Sequence, residues 1–251
     1  MKKLLTLDDV CLTYHSSQGE TQALSHLNFS VEESEFVGIV GPSGCGKTTI
    51  LSLIAGMLTP SSGSISLEGS EPTNSHNCGY MLQKDHLLDW RTIYKNIMLG
   101  LELRGNISNQ DVEYVNSLLS KYGLDEFKNS YPHQLSGGMR QRVALIRTLA
   151  LRPKILLLDE PFSALDYVTR LSVCNDVHRI ISQEKKTAIL VTHDISEAIS
   201  LCNRIVVLTR RPATIKSIYD VNIDGDPLVR RKSPLFSMMF DEIWKELDIK
   251  L

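Results

Sequence analysis

Gly41-Pro42-Ser43-Gly44-Cys45-Gly46-Lys47-Thr48 sets two glycines four residues apart, followed by a lysine and a hydroxyl residue. Glycines at that spacing let the backbone turn so that successive N–H groups converge on a polyphosphate. Lys47 supplies a point charge, and the Thr48 hydroxyl can ligate Mg²⁺. The flanks agree. Glu35–Val40 reads as a buried strand, and Thr49–Met57 as a helix whose positive end faces the phosphates. The alternative, a plain glycine turn between core elements, accounts for less of the pattern. Nucleoside triphosphate binding is the expectation. Cys45, beside the helix start, is expected to have its thiol pKa lowered.

Outward from this loop the chain alternates in character. Residues 4–14 alternate apolar and polar, 24–40 form a second strand-rich stretch, and Gly19 marks a hairpin between them. Thr59–Gly63 is a turn, Ser64–Gly69 a short strand, 70–78 a polar loop and Gly79–Gln83 a buried strand. From about 90 to 152 the pattern turns helical, with Val112, Val115, Leu118, Leu119 and Tyr122 on one face closed by Gly123. Ile155–Leu158, Ala188–Val191 and Arg204–Leu208 are largely unbroken apolar runs, as parallel strands covered on both faces require. The prediction is an α/β core interrupted by a helical insert. At the carboxyl end Phe236, Phe240, Ile243, Trp244 and Leu247 make an amphipathic helix, for docking on the core or for contact with a partner.

Composition narrows the function. The 251 residues carry a formal net charge of −2 and no long basic run, so no nucleic-acid partner is expected. Five scattered cysteines form no C-x-x-C pair, against a disulfide framework or zinc site and in keeping with a reducing cytosol. No apolar run approaches the roughly 20 residues of a membrane span, so any tie to a membrane runs through a partner.

Two further runs carry chemistry. Ile155-Leu156-Leu157-Leu158-Asp159-Glu160 ends an apolar strand in two carboxylates. Asp159 falls at the sheet's carboxyl edge, where ligands bind in such folds, and can hold Mg²⁺ beside Thr48. Glu160 suits polarising an attacking water. The alternative is a solvated acidic pair. In Leu135-Ser136-Gly137-Gly138-Met139-Arg140-Gln141-Arg142, Ser136 sits where an N-cap would and Gly137-Gly138 open a helix whose core face includes Val143, Ile146 and Ala150. That is a second helix-terminus anion site, or simply a capped helix. One triphosphate needs one cradle, and a head-to-tail pair of chains, each completing the other's site, explains a second.

Over nearly its whole length the chain resembles the ATP-binding subunits of ABC transporters. Gly41–Thr48, with Thr49, is similar to their Walker A, Ile155–Asp159 to Walker B, and Leu135–Arg142 to the signature that other phosphate-loop families lack. The resemblance implies a RecA-like phosphate-loop core (1–88 and 153–210) with an N-terminal antiparallel β subdomain, an inserted helical subdomain (89–152) and a C-terminal extension (211–251). It implies ATP and Mg²⁺, with Lys47, Glu160 and His193 catalytic and Thr48, Gln83 and Asp159 around the metal. Tyr14 matches an adenine-stacking aromatic, Gln83 the Q-loop glutamine and His193 the switch histidine. Ser136, Gly137, Gly138 and Gln141 are expected to meet the nucleotide of a second copy, with Asp166, in Ser163-Ala164-Leu165-Asp166, at the seam. Taken alone, Tyr14 could be a strand aromatic, Gln83 a loop polar group and His193 a satisfied strand-end histidine.

Two departures from the family pattern stand out. Glu33-Ser34 occupies a turn that commonly carries Gly, and Asp89 replaces Pro in Leu87-Leu88-Asp89-Trp90-Arg91-Thr92, where the family receives a membrane subunit's coupling helix. With Arg210-Arg211-Pro212, that segment looks most like the nitrate/sulfonate/taurine importer group. The expectation is a homodimeric ATPase at the cytoplasmic face of the cell membrane, with permease subunits and a separate solute-binding protein. A soluble ABC ATPase without a transport role is the alternative.

Overall fold

The computed structural model describes residues 2–17, 19–70 and 77–247. Most of the polar loop expected at 70–78 lies outside them. Two sheets form the frame. Strands β1 (Lys3–Ser16), β2 (Gly19–Glu32) and β4 (Ser62–Leu67) make an antiparallel sheet in the order β2-β1-β4. Strands β5 (Cys78–Met81), β6 (Ile155–Asp159), β7 (Thr187–Thr192), β3 (Phe36–Val40), β8 (Arg204–Leu208) and β9 (Ile215–Asp220) make the second, in that spatial order. All its pairings are parallel except β8 with β9.

Unbroken apolar strands follow from this layering. Along β6 and β7, successive side chains point to opposite faces. Ile155, Leu157, Ile189 and Val191 join the cluster under the antiparallel sheet and α1 (Lys47–Ile54). Leu156, Leu158, Ala188 and Leu190 join the cluster formed by the other helices. Both faces are therefore buried, and no polar residue fits between.

On that second side α4 (Gly137–Ala150) packs against α2 (Ile93–Arg104), α3 (Asn109–Lys121) and α5 (Tyr167–Gln183). The predicted face of α3 is buried at Val115, Leu118, Leu119 and Tyr122, and Gly123 follows at φ +68°. The remaining helices are α6 (Ile195–Leu201), α7 (Pro227–Arg230) and α8 (Pro234–Glu246). Helix α8 docks on the core: Phe236, Ile243 and Leu247 are buried, and Phe240 and Trp244 pack beside them. Strand β9 is an antiparallel edge strand in a stretch without a strand signal of its own. At the Glu33-Ser34 turn, Ser34 itself takes the left-handed conformation (φ +63°) and its N–H donates to Thr187 Oγ1 at 2.8 Å. No helix among the described residues is long and apolar enough to cross a membrane.

One buried polar side chain shapes the surface. Asn96 on α2 is fully buried, and its Oδ1 accepts from the Leu88 N–H at 2.7 Å. Its Nδ2 reaches the carbonyls of Leu88, Arg91 and Thr92 at 3.0–3.1 Å. The amide thus fixes the turn on which Trp90 stands 76% exposed. Truncation would leave the Leu88 N–H and the Arg91 carbonyl without this partner in a part-buried turn. We expect Asn96→Ala to lower unfolding free energy by about 3 kcal/mol in urea titrations. A loss below about 0.5 kcal/mol, the range of an ordinary surface change, would show that the turn is held otherwise.

Candidate nucleotide site

Parallel register brings the sequence-predicted residues together. In β3–β7 pairing Val40 lies opposite Thr192, and in β6–β7 pairing Asp159 lies opposite Val191. The phosphate loop, Asp159-Glu160 and His193 therefore leave adjacent strands at one edge. Strand β5, beside β6 with Met81 opposite Leu158, delivers Gln83 to the same edge.

Helix α1 differs from its neighbours at its start. Helices α2 to α8 each begin with a Ser, Thr or Asp side chain that accepts a backbone N–H. Helix α1 begins at Gly46 (φ +124°) with no side-chain cap. Its first N–H groups are left for an external acceptor, the arrangement that binds phosphate. Close packing enforces the glycines too: a Cβ on Gly46 would stand 2.8 Å from Leu24 Cδ2. Lys47 folds back into the loop, donating to the carbonyls of Gly41 at 2.8 Å and Pro42 at 3.0 Å. Between them Pro42, Ser43, Gly44 and Cys45 line a pocket of about 340 Å³ with Arg210 and Arg211. Arg211 also donates to the Gly44 carbonyl at 2.7 Å. Tyr14 lies close by, its hydroxyl 3.1 Å from Thr49 Oγ1.

Thr48 Oγ1 donates to Asp159 Oδ1 at 3.1 Å, and the Tyr80 hydroxyl donates to Asp159 Oδ2 at 3.1 Å. Burial pushes the Asp159 carboxyl above its ordinary range, and the two hydroxyls oppose that shift. Burial also raises the Tyr80 phenol, so it stays a donor. No three His, Cys, Asp or Glu side chains among the described residues gather as a metal cage. A hydroxyl beside one carboxylate instead fits Mg²⁺, which takes hard oxygen ligands and keeps positions for phosphate and water.

Glu160 follows in a left-handed conformation (φ +44°), fixed by its N–H on the Val191 carbonyl at 2.8 Å. Its Oε2 meets Gln83 Nε2 at 3.4 Å and His193 Nδ1 at 3.2 Å. The carboxylate, the glutamine and the histidine thus form one constellation. Behind His193, Glu197 is buried and accepts from Thr192 Oγ1 at 2.6 Å, and burial pushes its carboxyl up to about 7.

The second predicted cradle sits at the start of α4. Ser136 caps α4, accepting from the Met139 N–H at 3.3 Å, and is exposed. Gly138 is buried where a Cβ would come within 2.9 Å of Val173 on α5, so close helix packing also demands it. Gln141 is buried as well, its Oε1 unpartnered, so its side chain does not stand on the surface with Ser136. Asp166 caps α5, accepting from the Thr169 N–H at 3.0 Å. No hydrogen bond or ion pair among the described residues joins Ser136–Gly138 to Gly41–Thr49.

Cys45 corrects an expectation. The helix terminus and Lys47 do favour its thiolate, but burial outweighs them and the thiol pKa is raised. The side chain is 1% exposed, and its Sγ lies 2.9 Å from where a Gly41 Cβ would be. Tyr80, Arg211 and Glu197 are site neighbours that sequence reasoning missed. Only Arg211 left a trace, in the Arg210-Arg211-Pro212 run.

Comparison with known proteins finds relatives over nearly the whole chain. The ABC transporter family model matches residues 24–163. The chain is 45% identical over 248 residues to the ABC transporter ATP-binding protein YtlC of Bacillus subtilis, covering 97% of this chain and 95% of that protein. It is 38% identical over 247 residues to the nitrate import ATP-binding protein NrtD of Synechocystis, covering 95% and 93%. The dimeric post-hydrolysis structure of the ATP-binding cassette MJ0796 with ADP and Pi superposes with a TM-score of 0.73 at 30% identity, over 87% of this chain and 99% of that one.

Burial of the thiol has a direct test. During maleimide labelling across a denaturant series, Cys45 should gain label in step with global unfolding. Rapid labelling of Cys45 in the folded protein would contradict a buried thiol.

Proposed function

The chain belongs to the ABC transporter family as an ATP-hydrolysing subunit, and from that premise we propose that two copies clamp two ATP molecules between them to drive import of a small solute through a permease. The exposed helix start at Ser136, joined to its own chain's phosphate loop by no hydrogen bond or ion pair among the described residues, carries this reading. An exposed helix N-terminus without a bond to its own chain's cradle has a use when a second copy brings its nucleotide there. Tyr167 and Val168, next to Asp166, are 67% and 74% exposed, as residues awaiting a partner surface are. The dimeric MJ0796 cassette is consistent with it.

In this reading the open start of α1 and Lys47 bind the β- and γ-phosphates. Thr48 and Asp159 would hold Mg²⁺, which when bound supplies positive charge for the phosphoryl oxygens. Glu160 takes a proton from the attacking water, Gln83 orients it, and His193 adjoins the terminal phosphate. Loss of that phosphate removes the group joining the copies, so they part, and the turn bearing Trp90 passes the motion to a permease. Import, a small anionic or organosulfur or nitrogen solute, a separate solute-binding protein and a place on the cytoplasmic face of the membrane rest on kinship with proteins such as the nitrate import protein NrtD.

Two variants separate binding from turnover. Lys47→Ala should weaken ATP affinity roughly 10- to 100-fold in titrations with a fluorescent analogue, the range for losing a charged hydrogen bond. Glu160→Gln should bind ATP normally, lose roughly 100-fold or more in kcat, and elute as an ATP-dependent dimer. Native turnover by Glu160→Gln would remove the assigned base. A monomer under those conditions, with permease present, would remove the clamp.

A further inference from the structure

The loop carrying His193 is closed on itself. The Thr192 hydroxyl donates to Glu197 Oε2 and accepts the Asp194 N–H at 3.0 Å. Asp194 Oδ1 in turn accepts the N–H groups of Ser196 and Glu197 at the start of α6. Arg170, on the first turn of α5, reaches this unit from another part of the chain. Its Nη1 lies 3.5 Å from Asp194 Oδ2, and its Nε 3.9 Å from Glu197 Oε1. On its other side Nη2 donates to the Leu165 carbonyl at 2.9 Å. Leu165 belongs to Ser163–Asp166, whose Ser163 hydroxyl donates to the Glu160 carbonyl at 3.0 Å. One planar guanidinium therefore spans the run beside the carboxylate base and the loop that holds the histidine.

The span is unfinished. Arg170 Nε is buried and makes no hydrogen bond, and 3.9 Å is beyond hydrogen-bond reach of Glu197. A buried donor without an acceptor is costly, and a closer approach of Glu197 would satisfy it.

We propose that Arg170 is a positioning residue: displacement of Ser163–Asp166 pulls its guanidinium, which moves the Thr192–Asp194 loop and sets His193 against Glu160 and the terminal phosphate. The inference rests on the reading above, in which that run lies at the seam and His193 faces nucleotide. Engagement by a second copy would then adjust the histidine without the copy touching it. Arginine suits the task because its fixed fork can meet three acceptors at once, whereas a lysine ammonium cannot hold the same plane.

The full-length chain with Arg170→Met and Arg170→Lys tests this. Steady-state kcat and KM for Mg·ATP are measured, together with the ¹⁵N-histidine ring signals, His193 being assigned through His193→Gln. Arg170→Met should leave KM within about twofold and lower kcat roughly 10- to 100-fold. It should displace the His193 ring signals while those of His15 and His26, on the antiparallel sheet, stay in place. Arg170→Lys should fall between Met and wild type on both readouts, and it decides the matter if the Met variant fails to fold. Native kcat with native His193 signals in the Lys variant would overturn the proposal, as would a kcat loss in the Met variant matched by a rise in KM with His193 unmoved. Failure of wild-type protein to turn over ATP would instead remove the underlying functional reading.

Discussion

Parallel pairing of β5, β6, β7 and β3 is the constraint from which the site follows. In a parallel ladder every strand delivers its next residue to the same edge, so four segments far apart in sequence end side by side. Thr48 and Asp159 are 111 residues apart along the chain and 3.1 Å apart in space. Parallel pairing needs crossover connections, and the crossovers cover both sheet faces with apolar residues. A buried sheet leaves little room for polar groups, so chemistry is confined to its edge. Core composition and site location are thus two results of one geometry.

At that edge the fold leaves local demands unmet. The start of α1 lacks the side-chain cap found on every other α-helix described. Glu160 has a positive φ, which costs a residue with a Cβ about 1–2 kcal/mol. Both features are held by their surroundings: Gly46 by contact with Leu24, and Glu160 by the Val191 carbonyl. A mature site is where such local costs collect, offset by the core beneath it. Asp159 shows the same balance, its carboxyl desolvated by burial yet held by two hydroxyls.

How legible this was in the sequence depends on the range of each signal. The phosphate loop, the strand ending in Asp159-Glu160 and the capped start at Ser136 are local patterns, and each folds where its residues indicate. The apolar runs of β6, β7 and β8 announce burial because both faces of each strand are covered. Strand β9 was not legible: Ile215, Ser217 and Tyr219 are only half-buried at an edge, so no strong alternation marks them. Cys45 was misread because sequence shows a thiol beside a helix start but not that it turns inward against Gly41. Tyr80 and Arg170 carry no motif of their own. Their partners, Asp159 and the Asp194–Glu197 pair, are assembled only by the sheet and by packing of α5 on α6.

The amide of Asn96 has a mechanical corollary. Because it grips Leu88, Arg91 and Thr92 from inside α2, the turn carrying Trp90 has little compliance of its own. A load on the indole is transmitted along the helix rather than absorbed in bending the turn. The protruding ring behaves as the handle of a stiff lever whose shaft is α2 and whose bearing is its contact with α4.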